Sequence, residues 1–129
     1  MVANMSNNKP FESEIIDGDI LAIILNGALD SASAPEFDKE IQAHLDAGRS
    51  KVIIDCRNMP YISSLGMGSL IVLQTKLKRR GGEVKLSSVY GLAIQIMRMV
   101  GLDKLLGIYG DLEFARQSFY PKGEAPERP

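Results

Sequence analysis

Two adjacent serines, Ser63 and Ser64, carry the most pointed chemistry in this chain. They stand in the stretch Tyr61-Ile62-Ser63-Ser64-Leu65-Gly66-Met67-Gly68. Before it lies an apolar run, Lys51-Val52-Ile53-Ile54-Asp55-Cys56, and after it, over residues 69–80, the apolar residues recur at helical spacing. The run predicts a buried strand, so the serines fall at or just before a helix start. The first turn of a helix has free backbone N–H groups and a partial positive charge. A hydroxyl there can cap the helix by accepting one of those N–H groups. A phosphate ester there would be held by the same groups. On this pattern alone both jobs stay open, capping being the commoner, and the two are compatible.

The other reactive side chains support little else. His44 is the sole histidine and Cys56 the sole cysteine. They cannot make a zinc site with the usual ligand set, nor an internal disulfide. A Ser-His-Asp triad would need His44, which belongs to a helix over 36–47, far from either serine. Cys56 ends a buried strand and reads as a small buried hydrophobe. Gly66-Met67-Gly68 contains a G-x-G, but Ile71 stands where the third glycine of a dinucleotide fingerprint belongs. No glycine loop is followed by G-K-[ST]. Lys76, Lys78, Arg79 and Arg80 gather at a helix end, where cations suit the helix dipole. The residues therefore predict a protein without cofactor, metal or enzymatic activity.

The elements that position the serines can be read in order. Residues 1–10 are polar and expected to fray. Phe11–Ile16 predicts a first strand, Asp17-Gly18-Asp19 a hairpin turn, and Ile20–Leu25, continuously apolar, a second strand buried on both faces. Ser33-Ala34-Pro35-Glu36 predicts a helix start, with Ser33 and Glu36 as a capping box and proline in the first turn. Phe37, Ile41 and Leu45 then share one face, and Gly48 closes the helix. After the junction, Leu70, Leu73 and Leu77 form an inward stripe with Ile71 beside it, and Gly81-Gly82 ends it. A fourth strand over 83–88 puts Val84 and Leu86 on one face. A helix over 91–100 is expected to turn Leu92, Ile96 and Met99 inward. A short strand over 105–109 and a final helix capped by Asp111 complete the fold. Residues 121–129 are expected to be a disordered tail.

Alternating strands and helices predict an α/β domain over 11–120: a mixed, mostly parallel sheet of four or five strands, about four helices, and an antiparallel hairpin at the N-terminus. A chain of 129 residues, 45% hydrophobic and 24% charged, suits one soluble globular domain. A net charge of −1 leaves no footprint for nucleic acid. No segment is apolar for long enough to enter a membrane, and the polar N-terminus is no signal peptide. The expected location is the cytoplasm.

The ordered motifs resemble a known family. Gly27-Ala28-Leu29-Asp30 comes first, then the strand ending in Asp55, then Tyr61 to Met67, and later a strand leading through Gly91 into a helix ending near Gly101-Leu102. In this order the chain is similar to the STAS-domain anti-anti-sigma factors, or anti-sigma factor antagonists, over nearly its whole length. The resemblance implies a single STAS domain that works by binding. Its unphosphorylated form would hold an anti-sigma factor that is also a GHKL-type serine kinase, freeing a sigma factor. Phosphorylation at the junction would release that partner, and a PPM-type serine phosphatase would reverse it.

The family's junction usually reads Asp-Ser-Ser/Thr-Gly, with the first serine phosphorylated. The resemblance thus places Ser63 at the aspartate, Ser64 at the phosphorylated serine, Leu65 at the next position and Gly66 at the glycine. Ser64 is the implied phosphosite and Ser63 the second choice. The candidate partner-binding surface comprises Leu29, Asp30, Ser31, Tyr61, Ser63, Ser64, Leu65, Gly66 and Met67. The loss of the aspartate and the leucine at position 65 keep an alternative open: a constitutive STAS subunit of a membrane lipid-transport complex or another non-sigma assembly.

Overall fold

The computed structural model describes residues 9–128. Residues 1–8 of the expected N-terminal tail, and Pro129, lie outside them. Five strands form one sheet in the order β1-β2-β3-β4-β5: β1 Phe11–Ile16, β2 Ile20–Leu25, β3 Lys51–Asp55, β4 Glu83–Ser87 and β5 Gly107–Tyr109. β1 pairs antiparallel with β2, and every other pairing is parallel. The helices are α1 Ala34–Asp46, α2 Ser64–Arg79, α3 Gly91–Met99 and α4 Leu112–Gln117, with a 3-10 turn at Leu102–Lys104.

The β1–β2 turn follows from its residues. Asp17 has φ 53° and Gly18 φ 82°, left-handed values that aspartate tolerates and glycine adopts freely. β2 and β3 are buried on both faces because helices cover both sides of the sheet. Leu21, Ile23, Val52, Ile54, Val84 and Leu86 meet the inward faces of α1, α2 and α3 in the main core. Ile20, Ala22 and Ile53 point the other way, toward Ala115 of α4.

Phe37, Ile41 and Leu45 of α1, and Leu70, Leu73 and Leu77 of α2, are buried as their spacing predicts. Three details differ from the sequence reading. The Ser33–Glu36 capping box is not made, because the Ser33 hydroxyl donates instead to the Ala28 carbonyl at 2.7 Å. Ile71, expected beside the inward stripe, is exposed. In α3 the buried residues are Ala93 and Met97, not Leu92, Ile96 and Met99. Leu92 is 54% and Met99 85% exposed, because a four-residue spacing offered two apolar stripes and the small side chain of Ala93 lies against the core.

Candidate functional site

The site is built where β3 ends. Asp55 is buried, and its carboxylate accepts the Arg57 backbone N–H at 3.1 Å and faces the Arg57 guanidinium at 2.9 Å. The chain turns away from the sheet there, and Cys56 N–H donates to the Ser87 carbonyl at 2.8 Å. The loop over 56–63 is then stitched to the loop that follows β2. Leu29 N–H donates to the Tyr61 carbonyl at 3.1 Å, and Ser63 N–H to the Leu29 carbonyl at 2.9 Å, so Leu29 and Ile62 form a parallel bridge. One step further along, Gly66 is pressed against the same strand: a Cβ there would overlap the Leu29 carbonyl oxygen and lie 3.0 Å from Leu29 Cγ. Glycine is required at 66 by close approach, whatever its dihedral angles.

The two serines divide the work. Ser63, extended at φ −91° and ψ 172°, is the N-cap of α2. Its hydroxyl accepts the Gly66 N–H at 3.2 Å, while its carbonyl takes the Met67 N–H at 2.9 Å. Ser64 is the first residue of α2 and is exposed, and its hydroxyl has no hydrogen-bond partner among the described residues. Asp30 turns its carboxylate back onto its own loop, where Oδ1 accepts from Ser33 N–H at 3.1 Å and Ala32 N–H at 3.0 Å. The Ser33 N–H, then the Ala32 N–H, hold its carboxyl below the usual carboxylate range. Ser31 is exposed at the tip of that loop.

Tyr61 and Leu65 are 43% and 53% exposed and flank Ser64. Met67 is half-buried and packs against the core. Leu29, 1% exposed, and Gly66 are buried, which corrects their place in the expected binding surface: they support it from behind. Two residues were not assigned to the site from the sequence, where Asn26-Gly27 reads only as the close of the second strand. Asn58 Nδ2 donates to Asn26 Oδ1 at 2.9 Å, and Asn26 Nδ2 donates to Glu12 Oε2 at 2.7 Å, joining the same two loops to β1. Asn26 stands in an Asn-Gly pair and Asn58 in a polar loop, signals that mark a turn but not the partner across it.

Little else competes as a site. Among the described residues no three His, Cys, Asp or Glu side chains cluster to hold a metal ion. His44 pairs with Glu40 at 3.2 Å, and burial pushes the Cys56 thiol well up. No described helix is long and apolar enough to cross a membrane.

The chain is 27% identical, over 104 residues, to BtrV of Bordetella bronchiseptica, provisionally named an anti-sigma factor antagonist; the match covers 81% of this chain and 89% of that protein. Its fold matches the Bacillus anti-sigma factor antagonist SpoIIAA in two forms. For the unphosphorylated form the TM-score is 0.73 at 17% identity, covering 84% of this chain and 95% of the other. For the phosphorylated form it is 0.67 at 18% identity, covering 85% and 99%. A sulfate transporter family protein of Wolinella succinogenes shares the fold at TM-score 0.68 and 20% identity, over 79% of this chain and 85% of that one. The STAS domain family model matches residues 11–115, and with the sheet order and helix placement above, the chain belongs to that family.

Proposed function

We propose that this protein is a cytoplasmic anti-sigma factor antagonist that switches partners through Ser64. Unphosphorylated, it binds an anti-sigma factor that is a GHKL-type serine kinase and so frees a sigma factor. Phosphorylation of Ser64 ends that binding, and a PPM-type phosphatase restores it. The observation that carries the reading is the contrast at the junction: the Ser63 hydroxyl is occupied as a cap, whereas the exposed Ser64 hydroxyl is unengaged among the described residues. A kinase can therefore reach Ser64 without opening the fold. The name of BtrV and the phosphorylated form of SpoIIAA support the same reading.

The switch needs no change of shape. A phosphate adds about −1.5 to −2 charges and three acceptor oxygens at the start of α2, where free N–H groups accommodate it. A partner packed on Tyr61 and Leu65 would have to desolvate that charge. Truncation data put an unpaired interfacial charge at roughly 2–5 kcal/mol. At 1.4 kcal/mol per decade this weakens binding by about thirty-fold or more.

A second reading is a constitutive STAS subunit of a membrane-associated assembly. Ser63 in the place of an acid and the likeness to the Wolinella protein favour it. Ser64→Ala and Ser64→Asp baits in extract of the source cells separate the two. The first reading expects a GHKL-type kinase held by the alanine form and lost from the aspartate form. Membrane-transport proteins held equally by both would overturn it and leave the constitutive subunit.

A further inference from the structure

The second face of the sheet has a thin cover. Its buried apolar residues among those described are Ile16, Ile20, Ala22, Ile53 and Ala115, a much smaller cluster than the one α1, α2 and α3 bury on the other face. The cover is the six-residue α4 with Phe119 and Tyr120 behind it. A helix that short does not hold itself together in water. Leu112, Ala115, Phe119 and Tyr120 supply its apolar contacts, and a set of polar contacts adds to them. Arg116, 3% exposed, grips Glu113 with two N–H groups at 2.9 and 2.8 Å, and reaches Asp17 of the β1–β2 turn at 2.7 Å. The Tyr120 hydroxyl donates to the same Asp17 oxygen at 2.8 Å. From β4, Lys85 Nζ donates to the Ser118 carbonyl at 2.9 Å and hydroxyl at 2.7 Å, and lies 4.3 Å from the centre of the Phe119 ring.

We propose that residues 112–120 form a hinged cover that opens as one unit from an otherwise folded domain, with Asp17 as the catch on which Arg116 and Tyr120 close. Opening uncovers Ile20, Ala22 and Ile53 and leaves the main core intact. The unequal size of the two apolar clusters and the convergence of two donors on one distant carboxylate carry the inference; local opening of a short element over a small apolar cluster is the general behaviour of such units. The proposal is independent of the partner switch. Ile20 pairs with Lys51 at the start of β3, so the catch lies at the strand ends opposite the loop that leads to Ser64.

Hydrogen exchange of the full chain, read by mass spectrometry, tests it. Several α4 amides are internally bonded, including Ala115 to Asp111 at 3.2 Å and Ser118 to Phe114 at 3.1 Å, so their exchange reports opening. In the wild type, residues 112–120 should exchange about a hundred-fold faster than the β3 amides. Asp17→Asn suits the left-handed turn and weakens the catch; it should speed 112–120 by about tenfold more while β3 stays unchanged. Tyr120→Phe, which removes one donor, should act in the same direction by a smaller factor, and it carries the test if Asp17→Asn does not fold. Equal exchange of the two segments, variants that speed both together, or variants that move neither would overturn the proposal.

Discussion

The division of work between Ser63 and Ser64 predicts opposite outcomes for two single-atom deletions. Ser63→Ala removes the acceptor of the Gly66 N–H, a bond of 3.2 Å at a half-buried helix start. Losing a serine N-cap costs about 1 kcal/mol, within a range of roughly 0.5–2. For a domain of this size that is a fall in Tm of about 3–6 °C. Ser64→Ala removes an exposed hydroxyl without a partner among the described residues, inside the first turn, where alanine has the better helix propensity. It should leave Tm unchanged or raise it slightly. Thermal unfolding by circular dichroism, with urea midpoints at constant m as a check, measures both. A Ser64→Ala loss equal to or larger than that of Ser63→Ala would refute the assignment, since Ser64 would then hold the helix and could not be freely modified.

Three further predictions follow from the same contacts. Gly66→Ala should destabilise by more than a typical small-to-large change of about 1–3 kcal/mol, because the obstructing atom is the Leu29 backbone oxygen that also receives Ser63 N–H; a urea midpoint like that of the wild type would contradict the close approach. Acid should loosen α4. Arg116, followed by Gln117, holds the Glu113 carboxyl down to about 2, and the Asp17 carboxyl is lowered chiefly by Arg116. A carboxyl lowered by folding stabilises above its unfolded pKa, and that contribution is lost as pH falls through the folded value. Urea midpoints should therefore drop from about pH 5 toward pH 2, and less steeply in Glu113→Gln; identical slopes would contradict the pairing. Cys56 should resist a thiol reagent in native buffer and react fully in denaturant, because burial, with the Asp55 charge beside it, raises its thiol; prompt native labelling would place it elsewhere.

Much of this fold was legible in the chain. The continuous apolar runs of β2 and β3, the Asp17-Gly18 turn and the stripes of α1 and α2 are each dictated by local sequence, and, Ile71 beside the α2 stripe apart, each formed as read. The junction itself was also legible, because a strand running into serines and then a helical stripe leaves few other geometries. The capping box failed for a local reason that the motif does not contain: the Ala28 carbonyl, five residues back in the same loop, takes the Ser33 hydroxyl. The α3 face was misread because nearly every residue there is apolar, so the sheet and not the periodicity selected Ala93 and Met97.

By itself, then, the chain determined which segments are strands and helices and that two hydroxyls stand at the start of α2. Only the tertiary structure decided which hydroxyl is spent. The Leu29–Ile62 bridge sets the extended backbone of Ser63, Gly66 lets the helix close on it, and the Ser63 hydroxyl is thereby turned to the Gly66 N–H while Ser64 faces outward. The same holds for the far side of the sheet, where Asp17 and Arg116 meet across 99 positions of sequence. Local spacing cannot encode such a contact, because it exists only once the sheet brings the first turn beside the last helix.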